Sequence, residues 1–419
     1  MSAARTKKAQ TAASGSGSGS AGASPASNTT ATGQVTKVLD SSAQPPAQMP
    51  YSTAHRNIVI RWMVDPKLSL SMILTVISAQ LVWHFLGPDT FGQNPVSYAT
   101  WLSHRIPVST VALLEPEAAL PGSGDHLVRY QKGYGDLAFV AFYVIVYSFI
   151  RQSTTLYLFR PFAHWWGINN EAKVLRLTEQ GYSLLYWGSS SLVGLYVMSF
   201  QETWWYKLEH LWLKYPHWVM RPELKAYYLL QAAYWTQQAI VMLLRLEKPR
   251  KDYYELVAHH LVTLWLIFWS YLVNMTMCGT TVFVAMDVPD TFICASKILN
   301  YLGLDLAATI VFAALIGVWT YFRIYLSSLT LVSIWTQFDT IPEYTKFWNP
   351  PEGHWMVHWM KYQIFIPLFL LLLLNIFWLA LLLRILVRAL RGVVGDEREE
   401  GEYELNDYTM KEEEAKKAQ

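Results

Sequence analysis

Long apolar stretches separated by short polar loops dominate the chain between residues 51 and 391. A helix that crosses about 30 Å of hydrocarbon needs about 20 mostly apolar residues, because each residue adds about 1.5 Å. The pattern predicts eight membrane-spanning helices, at approximately 68–86, 137–158, 182–200, 226–244, 255–274, 281–301, 305–326 and 362–390. The eighth stretch is the most apolar, and the sixth is the weakest match because it carries two Asp, a Pro and a Lys. The sequence therefore predicts an all-α polytopic membrane protein.

The two ends of the chain lack this pattern. Residues 1–50 are rich in Gly, Ser, Ala and Thr and have no apolar core of a signal peptide, which indicates a disordered tail. Residues 392–419 are mostly acidic and predict a second solvated tail. Between them we expect two regions, the first two spans with their connecting loop over 51–169 and a bundle of six spans over 170–391.

Lys and Arg fall mainly in alternate loops, as is typical of the cytosolic side of a membrane protein. With eight spans, the loops before the first span and after the second, fourth and eighth spans lie on one side. Basic residues between the third and fourth spans depart from this trend. The distribution predicts that both tails are cytosolic. The last four residues, Lys416-Lys417-Ala418-Gln419, resemble a dilysine signal for the endoplasmic reticulum membrane, unless the charged tail ends this way by chance.

The composition agrees with a membrane location. Only 15% of the 419 residues are charged, against about 25% in soluble proteins, and 53% are hydrophobic. Aromatic residues, at 15%, suit a chain with many membrane interfaces to anchor. A formal charge of +2 argues against a nucleic-acid partner. The two cysteines, Cys278 and Cys294, are predicted to be apolar packing residues.

Among the ionisable residues inside the predicted spans, where each costs a few kcal/mol, four form a set that indicates a functional site. His259 and His260 are near the start of the fifth span, and Asp287 and Asp290 share one face of the sixth. On consecutive antiparallel helices these residues can meet only inside the bundle. A neutral imidazole is a general base near pH 7, and a carboxylate can orient it. The alternative is a structural pairing of the two helices.

The histidine pattern argues against a metal centre. Membrane di-iron enzymes need several clustered histidine motifs, whereas this chain has a single HxxxH, His354 and His358, in the loop on the opposite side. We find no phosphate-binding loop, no dinucleotide-binding motif and no nucleophile elbow. The sequence predicts neither a metal site nor a resident cofactor.

The segment from Arg250 to Leu304 closely resembles the signature motif of ceramide synthases, the longevity-assurance branch of the TLC-domain membrane proteins. The matching residues are His259-His260, Thr263, Ser270-Tyr271, Gly279, Met286-Asp287, Asp290, Lys297 and Asn300-Tyr301. The resemblance extends roughly from residue 170 to 391, including the segment 319–323. The chain lacks a homeobox-like insert between the first two spans, which makes it more similar to fungal members.

This resemblance implies a TLC-type helical bundle that encloses an intramembrane catalytic cavity. It implies N-acylation of a sphingoid base, dihydrosphingosine or phytosphingosine, by a fatty acyl-CoA, with CoA as the other product. The predicted catalytic residues are His259, His260, Asp287 and Asp290. One imidazole would act as general base or acyl acceptor, and the Asp pair would orient the imidazoles or hold the substrate ammonium and hydroxyls. The predicted substrate-binding residues are Lys297, Asn300, Arg250 and Lys251.

The basic residues Arg250 and Lys251 would attract the CoA phosphates, although ordinary positive charge in a cytosolic loop explains them equally well. The expected partners are acyl-CoA as co-substrate, the sphingoid base, membrane lipids, a small single-span regulatory subunit, and a second copy or a relative in a dimer. Two other functions are a non-catalytic TLC protein, in lipid sensing or translocation, and an ion or proton transporter. The paired HH and DxxD motifs favour the enzyme.

Overall fold

The computed structural model describes residues 58–86, 94–116, 127–213, 215–246 and 252–391. Within these ranges the backbone is helical, and β-structure is restricted to isolated bridges. The predicted tails, 1–50 and 392–419, lie outside the described residues, as do the predicted substrate-binding residues Arg250 and Lys251.

Each of the eight apolar stretches forms a long helix. The helices are α1 (Pro66–Leu86), α2 (Gly135–Trp165), α3 (Glu171–Ser199), α4 (Pro222–Leu243), α5 (Tyr253–Leu272), α6 (Thr276–Tyr301), α7 (Asp305–Thr340) and α8 (Met360–Leu390). Five of them, α1, α2, α5, α7 and α8, are long and apolar enough to cross a membrane. The protein is therefore a multi-pass membrane protein, and its all-α class is confirmed.

The other three helices are long enough to span but more polar. Helices α3, α4 and α6 contain 29, 22 and 26 residues, and much of their polar surface is buried against neighbouring helices. A polar side chain that faces the interior of a bundle avoids lipid and can find a protein partner. The prediction that these three helices also cross the membrane stays a prediction.

Helix α7 extends well beyond its predicted end at residue 326. A π-helical turn, Thr320–Leu326, is followed by a further α-helical segment, Ser327–Gln337. The helix continues through polar residues whose hydroxyls bond to backbone carbonyls of the preceding turn, as Thr330 Oγ1 does to Leu326 O at 3.0 Å. Apolar length alone therefore underestimates the helix.

Helix α6 occupies the centre of the bundle, in contact with α3, α4, α5 and α7. Helices α5 and α7 both pack against α8, and α2 joins α1 to α4. Large aromatic side chains fill much of the core, and Tyr186 and Tyr234 stack with ring centroids 3.2 Å apart. Because α6 is surrounded on several sides, its polar residues meet partners from several helices.

A buried ion pair joins α2 to α4, and hydrogen bonds connect it to the segment before α2 and to α5. Lys225 Nζ lies 2.7 Å from Asp136 Oδ1, and both side chains are almost fully buried. Ser103 Oγ and Tyr271 OH each donate to the same carboxylate at 2.8 Å. The ion pair thus links α2 and α4 to the carboxyl end of α5.

Candidate functional site

His259 and His260 lie on the second turn of α5 with both side chains buried. Trp235 of α4 packs edge-on against both imidazoles, with ring centroids 5.4 Å from each. Trp378 of α8 approaches His259 at 5.3 Å. The two imidazoles are 5.7 Å apart and nearly perpendicular. Aromatic side chains therefore hold the histidine pair at the junction of α4, α5 and α8.

The ring nitrogens of the two histidines have different surroundings. His260 Nδ1 lies 2.9 Å from the backbone oxygen of Leu256, which assigns the proton to Nδ1 in the neutral ring. His259 Nδ1 is buried and has no hydrogen-bond partner among the described residues. A buried polar atom without a partner costs about 1–3 kcal/mol, so this nitrogen is a position that a ligand can satisfy.

Asp287 lies in the middle of α6 and is fully buried. Its Oδ2 accepts hydrogen bonds from Ser190 Oγ of α3 and Gln231 Nε2 of α4, both at 2.6 Å. Tyr186 OH donates to the Gln231 side-chain oxygen at 2.8 Å and extends the network. Asp287 Oδ1 has no partner within the described part of the chain. The carboxylate therefore joins three helices and keeps one acceptor open.

Asp290 forms an ion pair with Arg323 of α7, with Oδ2 and Nη2 2.6 Å apart. Arg323 also donates to the backbone oxygen of Met286 at 2.7 Å, and its guanidinium lies 4.1 Å from the centre of the Trp319 ring. Arg323 is itself buried and belongs to the π-helical turn of α7. Such turns occur often at functional sites, and here one directs a cation at α6.

The structure brings the two histidines together and gives each aspartate other partners. Helices α5 and α6 are joined by residues 273–275, so the levels are compared from that end: His259 is 13 residues before the end of α5, or about 20 Å, and Asp287 is 11 residues after the start of α6, or about 17 Å. The two residues lie at similar levels, and Asp287 turns toward Ser190 of α3 and Gln231 of α4. His259 Nδ1 has no carboxylate partner within the described ranges, so the expected Asp–His hydrogen bond at this atom is not formed.

A cavity lies between α4, α5, α6 and α8, and His259 is part of its lining. Its wall along α5 carries Thr263, Ile267, Ser270 and Val273. Most of its lining is apolar. The cavity therefore offers an apolar space for an alkyl chain beside the His259 side chain.

The other predicted residues lie away from this cavity. Lys297 and Asn300 are on the last turns of α6, at least ten residues or about 15 Å from Asp287, and Asn300 is exposed. His354 precedes α8 and its Nδ1 lies 2.9 Å from the backbone oxygen of Tyr344. Cys278 and Cys294 are both buried, as expected of packing residues. Across the described residues, no three His, Cys, Asp or Glu side chains form a metal-binding group.

Several residues of the site escaped the sequence analysis. Arg323 could have been found, because it is a charged residue inside an apolar span, the property that identified the aspartates. Ser190, Gln231 and Trp235 gave no such signal, since Ser, Gln and Trp recur throughout these helices. Only the packing of α3 and α4 against α6 and α5 reveals their role.

Comparison with known proteins identifies relatives with one recurring activity. A family model described as the TLC domain matches residues 176–384. Sphingosine N-acyltransferase lac1 of Schizosaccharomyces pombe is 34% identical over 352 residues, which cover 84% of this chain and 85% of the relative. Ceramide synthase LAG1 of Saccharomyces cerevisiae is 38% identical over 275 residues, 65% of this chain and 66% of the relative. A sphingosine N-acyltransferase-like protein of Gibberella moniliformis is 38% identical over 265 residues, covering 63% of this chain and 68% of the relative.

Proposed function

Since this chain belongs to the ceramide synthase family of TLC-domain membrane proteins, we propose that it forms ceramide by acyl transfer in the cavity beside His259. It is an acyl-CoA-dependent N-acyltransferase whose substrates are a fatty acyl-CoA and a sphingoid base. The observation that carries the assignment of the site is the buried, unpartnered His259 Nδ1 beside a largely apolar cavity. A long-chain thioester and a long-chain amine both match such a lining.

His259 is the principal catalyst in this proposal. An aliphatic amine is mostly protonated near pH 7 and must lose a proton before its nitrogen attacks the thioester carbonyl. The ammonium first releases one proton to solvent, and the imidazole accepts a second proton from the nitrogen as the C–N bond forms. It passes this second proton to the CoA sulfur as the C–S bond breaks, which leaves an amide, free CoA and the one released proton. General base catalysis of this kind contributes about 10²–10⁴ in rate.

A two-step route uses the same residue as a nucleophile. The imidazole nitrogen attacks the thioester, CoA leaves, and the amine then displaces the imidazole from the acyl group. The two routes differ in whether His259 carries an acyl group when acyl-CoA is supplied without the base. His260 supports either route, because its Nδ1 is bonded to Leu256 O and its ring packs against His259.

The aspartates act on the substrate and on α6 in this proposal, not on His259 directly. Asp287 Oδ1 is an open acceptor for the ammonium or a hydroxyl group of the sphingoid base. Asp290, through Arg323, fixes α6 against α7 beside Met286, a residue of the cavity wall. The low polarity of the cavity excludes water that would hydrolyse the thioester.

For the cellular location and the remaining partners, the proposal keeps the sequence-based expectations. Cytosolic tails, an endoplasmic reticulum membrane, a single-span subunit and a dimer stay predictions. The substrate-binding roles of Lys297, Asn300, Arg250 and Lys251 also stay predictions. These predictions depend on the proposed reaction, so the reaction is tested first.

The reaction is tested with purified protein in lipid nanodiscs, supplied with palmitoyl-CoA and dihydrosphingosine. We expect the wild type to release CoA and form N-acyl product, measured by mass spectrometry. His259→Ala should lower kcat/KM about 10²–10⁴-fold while the protein stays folded. His84→Ala, in the exposed surface of α1, is the matched control and should keep wild-type turnover.

Three results would count against the proposal. Equal turnover of the His259→Ala and wild-type proteins would exclude His259 as the catalyst. A folded wild-type protein that forms no ceramide from any acyl-CoA would favour the non-catalytic TLC protein. Charge movement across the membrane without acyl-CoA would favour the transporter.

A further inference from the structure

We propose that the indole N–H of Trp235 and the hydroxyl of Thr263 form the oxyanion hole of this enzyme, the pair of donors that binds the acyl carbonyl oxygen during acyl transfer. This inference rests on the proposed function, since it takes His259 as the group beside which the carbonyl reacts. It adds two catalytic residues, one on α4 and one on α5, that line the same cavity as His259.

The reaction places a negative charge in an apolar cavity. When the amine or the imidazole attacks the thioester, the π electron pair of the carbonyl group moves onto its oxygen and an oxyanion forms. An anion without hydrogen bonds is very costly in an apolar environment. In many acyl-transfer enzymes backbone N–H groups stabilise this oxygen. The cavity here lies between helices, whose interior N–H groups already bond to carbonyls four residues earlier, so side chains must supply the donors.

The lining of the cavity contains donors with no hydrogen bond to make within the protein. Besides His259, three of its side chains carry a buried polar atom without a partner among the described residues: Trp235 Nε1, Thr263 Oγ1 and Trp269 Nε1. A buried donor without a partner costs about 1–3 kcal/mol, so a ligand oxygen at such an atom is stabilising. Trp269 is ten residues from His259, or about 15 Å along α5, which is too distant for the reacting carbonyl. Trp235 and Thr263 remain as the donors near the imidazole.

Thr263 lies one helical turn after His259, on the same face of α5. In the helices of this protein a threonine hydroxyl commonly donates to the backbone oxygen four residues earlier, as Thr236 Oγ1 does to Ala232 O at 2.7 Å. Thr263 is buried, yet its Oγ1 makes no such bond within the described ranges. Its hydroxyl proton is therefore available to a ligand oxygen beside His259.

Trp235 supplies the second donor from α4. Its ring centroid lies 5.4 Å from that of His259, and the two ring planes are inclined by 70°. A carbonyl bond is about 1.2 Å long and a hydrogen bond about 2.9 Å, so a carbonyl group beside the imidazole lies within reach of the indole nitrogen. The indole nitrogen only donates hydrogen bonds. It therefore fits an oxyanion and leaves removal of the amine proton to His259.

The two donors stabilise the carbonyl oxygen without giving up a proton. As the C–N bond forms, the π electron pair of the carbonyl moves to oxygen, which accepts hydrogen bonds from Trp235 Nε1 and Thr263 Oγ1. The pair then returns and the C=O bond forms again. The C–S bond breaks with its electrons on the CoA sulfur, which takes the proton held by His259. In the two-step route the same donors serve both attacks, because each passes through an oxyanion on the acyl carbon.

The kinetic test uses the full-length protein in nanodiscs with palmitoyl-CoA and dihydrosphingosine. Trp235→Phe removes the N–H and keeps an aromatic ring, and Thr263→Val replaces the hydroxyl by a methyl group of similar size. Each variant should lower kcat about 10²–10³-fold, with a much smaller change in KM for palmitoyl-CoA, because the contact strengthens as the oxyanion forms. Thr263→Ser keeps the hydroxyl and should retain most of the turnover.

Two control variants make the same chemical changes outside the cavity lining. Trp212→Phe removes another buried indole N–H that has no partner in the part of the chain that the structure describes. Thr236→Val removes a threonine hydroxyl of α4 that bonds within its own helix. Both controls should keep the wild-type kcat.

Infrared spectroscopy tests the same contact without turnover. Palmitoyl-CoA with an isotope-labelled carbonyl carbon is bound to the His259→Ala protein, in which residue 259 cannot be acylated. Hydrogen bonds to a carbonyl oxygen lower its stretching frequency. The labelled band should therefore move to higher frequency when Trp235→Phe or Thr263→Val is added to His259→Ala, and should stay in place when Trp212→Phe is added.

The outcomes separate this inference from the proposed function. Wild-type kcat in Trp235→Phe and Thr263→Val, or an unchanged carbonyl band in both, would overturn the inference. The proposed function would still stand if His259→Ala had lost turnover, whereas wild-type turnover of His259→Ala would refute the proposed function itself. An effect in only one of the two donor variants would refute the pair. An equal loss of kcat in the control variants would indicate a packing effect and would also overturn the inference.

Discussion

Removal of the Arg323 guanidinium should destabilise the bundle more than any exposed charge does. Arg323 is buried and joins three helices. It pairs with Asp290, donates to the backbone of Met286, and lies 3.4 Å from Asn375 Oδ1 of α8. The change Arg323→Met keeps an unbranched apolar side chain and removes only the charged head.

The expected cost comes mainly from the partner that remains. Breaking a buried ion pair by removing one member costs about 3–5 kcal/mol, because the other charge stays buried without compensation. The Asp290 side chain is 21% exposed, so some solvation remains and the lower end of this range applies. We therefore expect a loss of about 3 kcal/mol in the free energy of unfolding.

A double variant separates the charge from the shape. The double variant Arg323→Met with Asp290→Asn has no charge left at this position. Replacing both members of a buried ion pair by uncharged residues often changes stability little. We expect the double variant to recover about 2 kcal/mol relative to Arg323→Met alone. Arg384→Met, at the exposed end of α8, should stay within about 0.5 kcal/mol of the wild type.

The assay is denaturant or thermal unfolding of the protein in one defined detergent or nanodisc, with N-acyltransferase turnover measured on the same samples. The reasoning fails if Arg323→Met unfolds with the same free energy as Arg384→Met. It also fails if the double variant is less stable than Arg323→Met, because the loss would then reflect packing and not an unpaired carboxylate.

Two further predictions concern packing and the second buried ion pair. Gly279→Ala should cost about 1–3 kcal/mol of stability, because the added Cβ would overlap Tyr228. Gly188→Ala is the control and should be tolerated, because the nearest atom to its added Cβ lies at 3.9 Å. Thermal unfolding compares the two variants. Lys225→Met should cost about 3–5 kcal/mol by leaving Asp136 buried, and adding Asp136→Asn should restore part of that loss in the same measurement. Equal stability of the two glycine variants, or no recovery in the lysine double variant, would contradict these expectations.

Some features of the site were readable from the chain because they depend on one helix at a time. The number and approximate positions of the long helices follow from apolar length, although α3 begins before and α7 ends beyond the predicted limits. The burial of His259 and Asp287 follows from the high cost of placing ionisable groups in lipid. Helical periodicity also places Asp287 and Asp290 three residues apart on α6. The motif around these residues predicted the family.

Other features depend on how helices are placed against each other, and periodicity says nothing about that. The rotation of α6 directs Asp287 toward Ser190 of α3 and Gln231 of α4, and His259 Nδ1 has no hydrogen-bond partner among the described residues. The π-helical turn of α7 brings Arg323 to Asp290. Offsets and rotations between helices result from the packing of many side chains at once, so the partners of each polar group and the lining of the cavity appeared only in the assembled bundle.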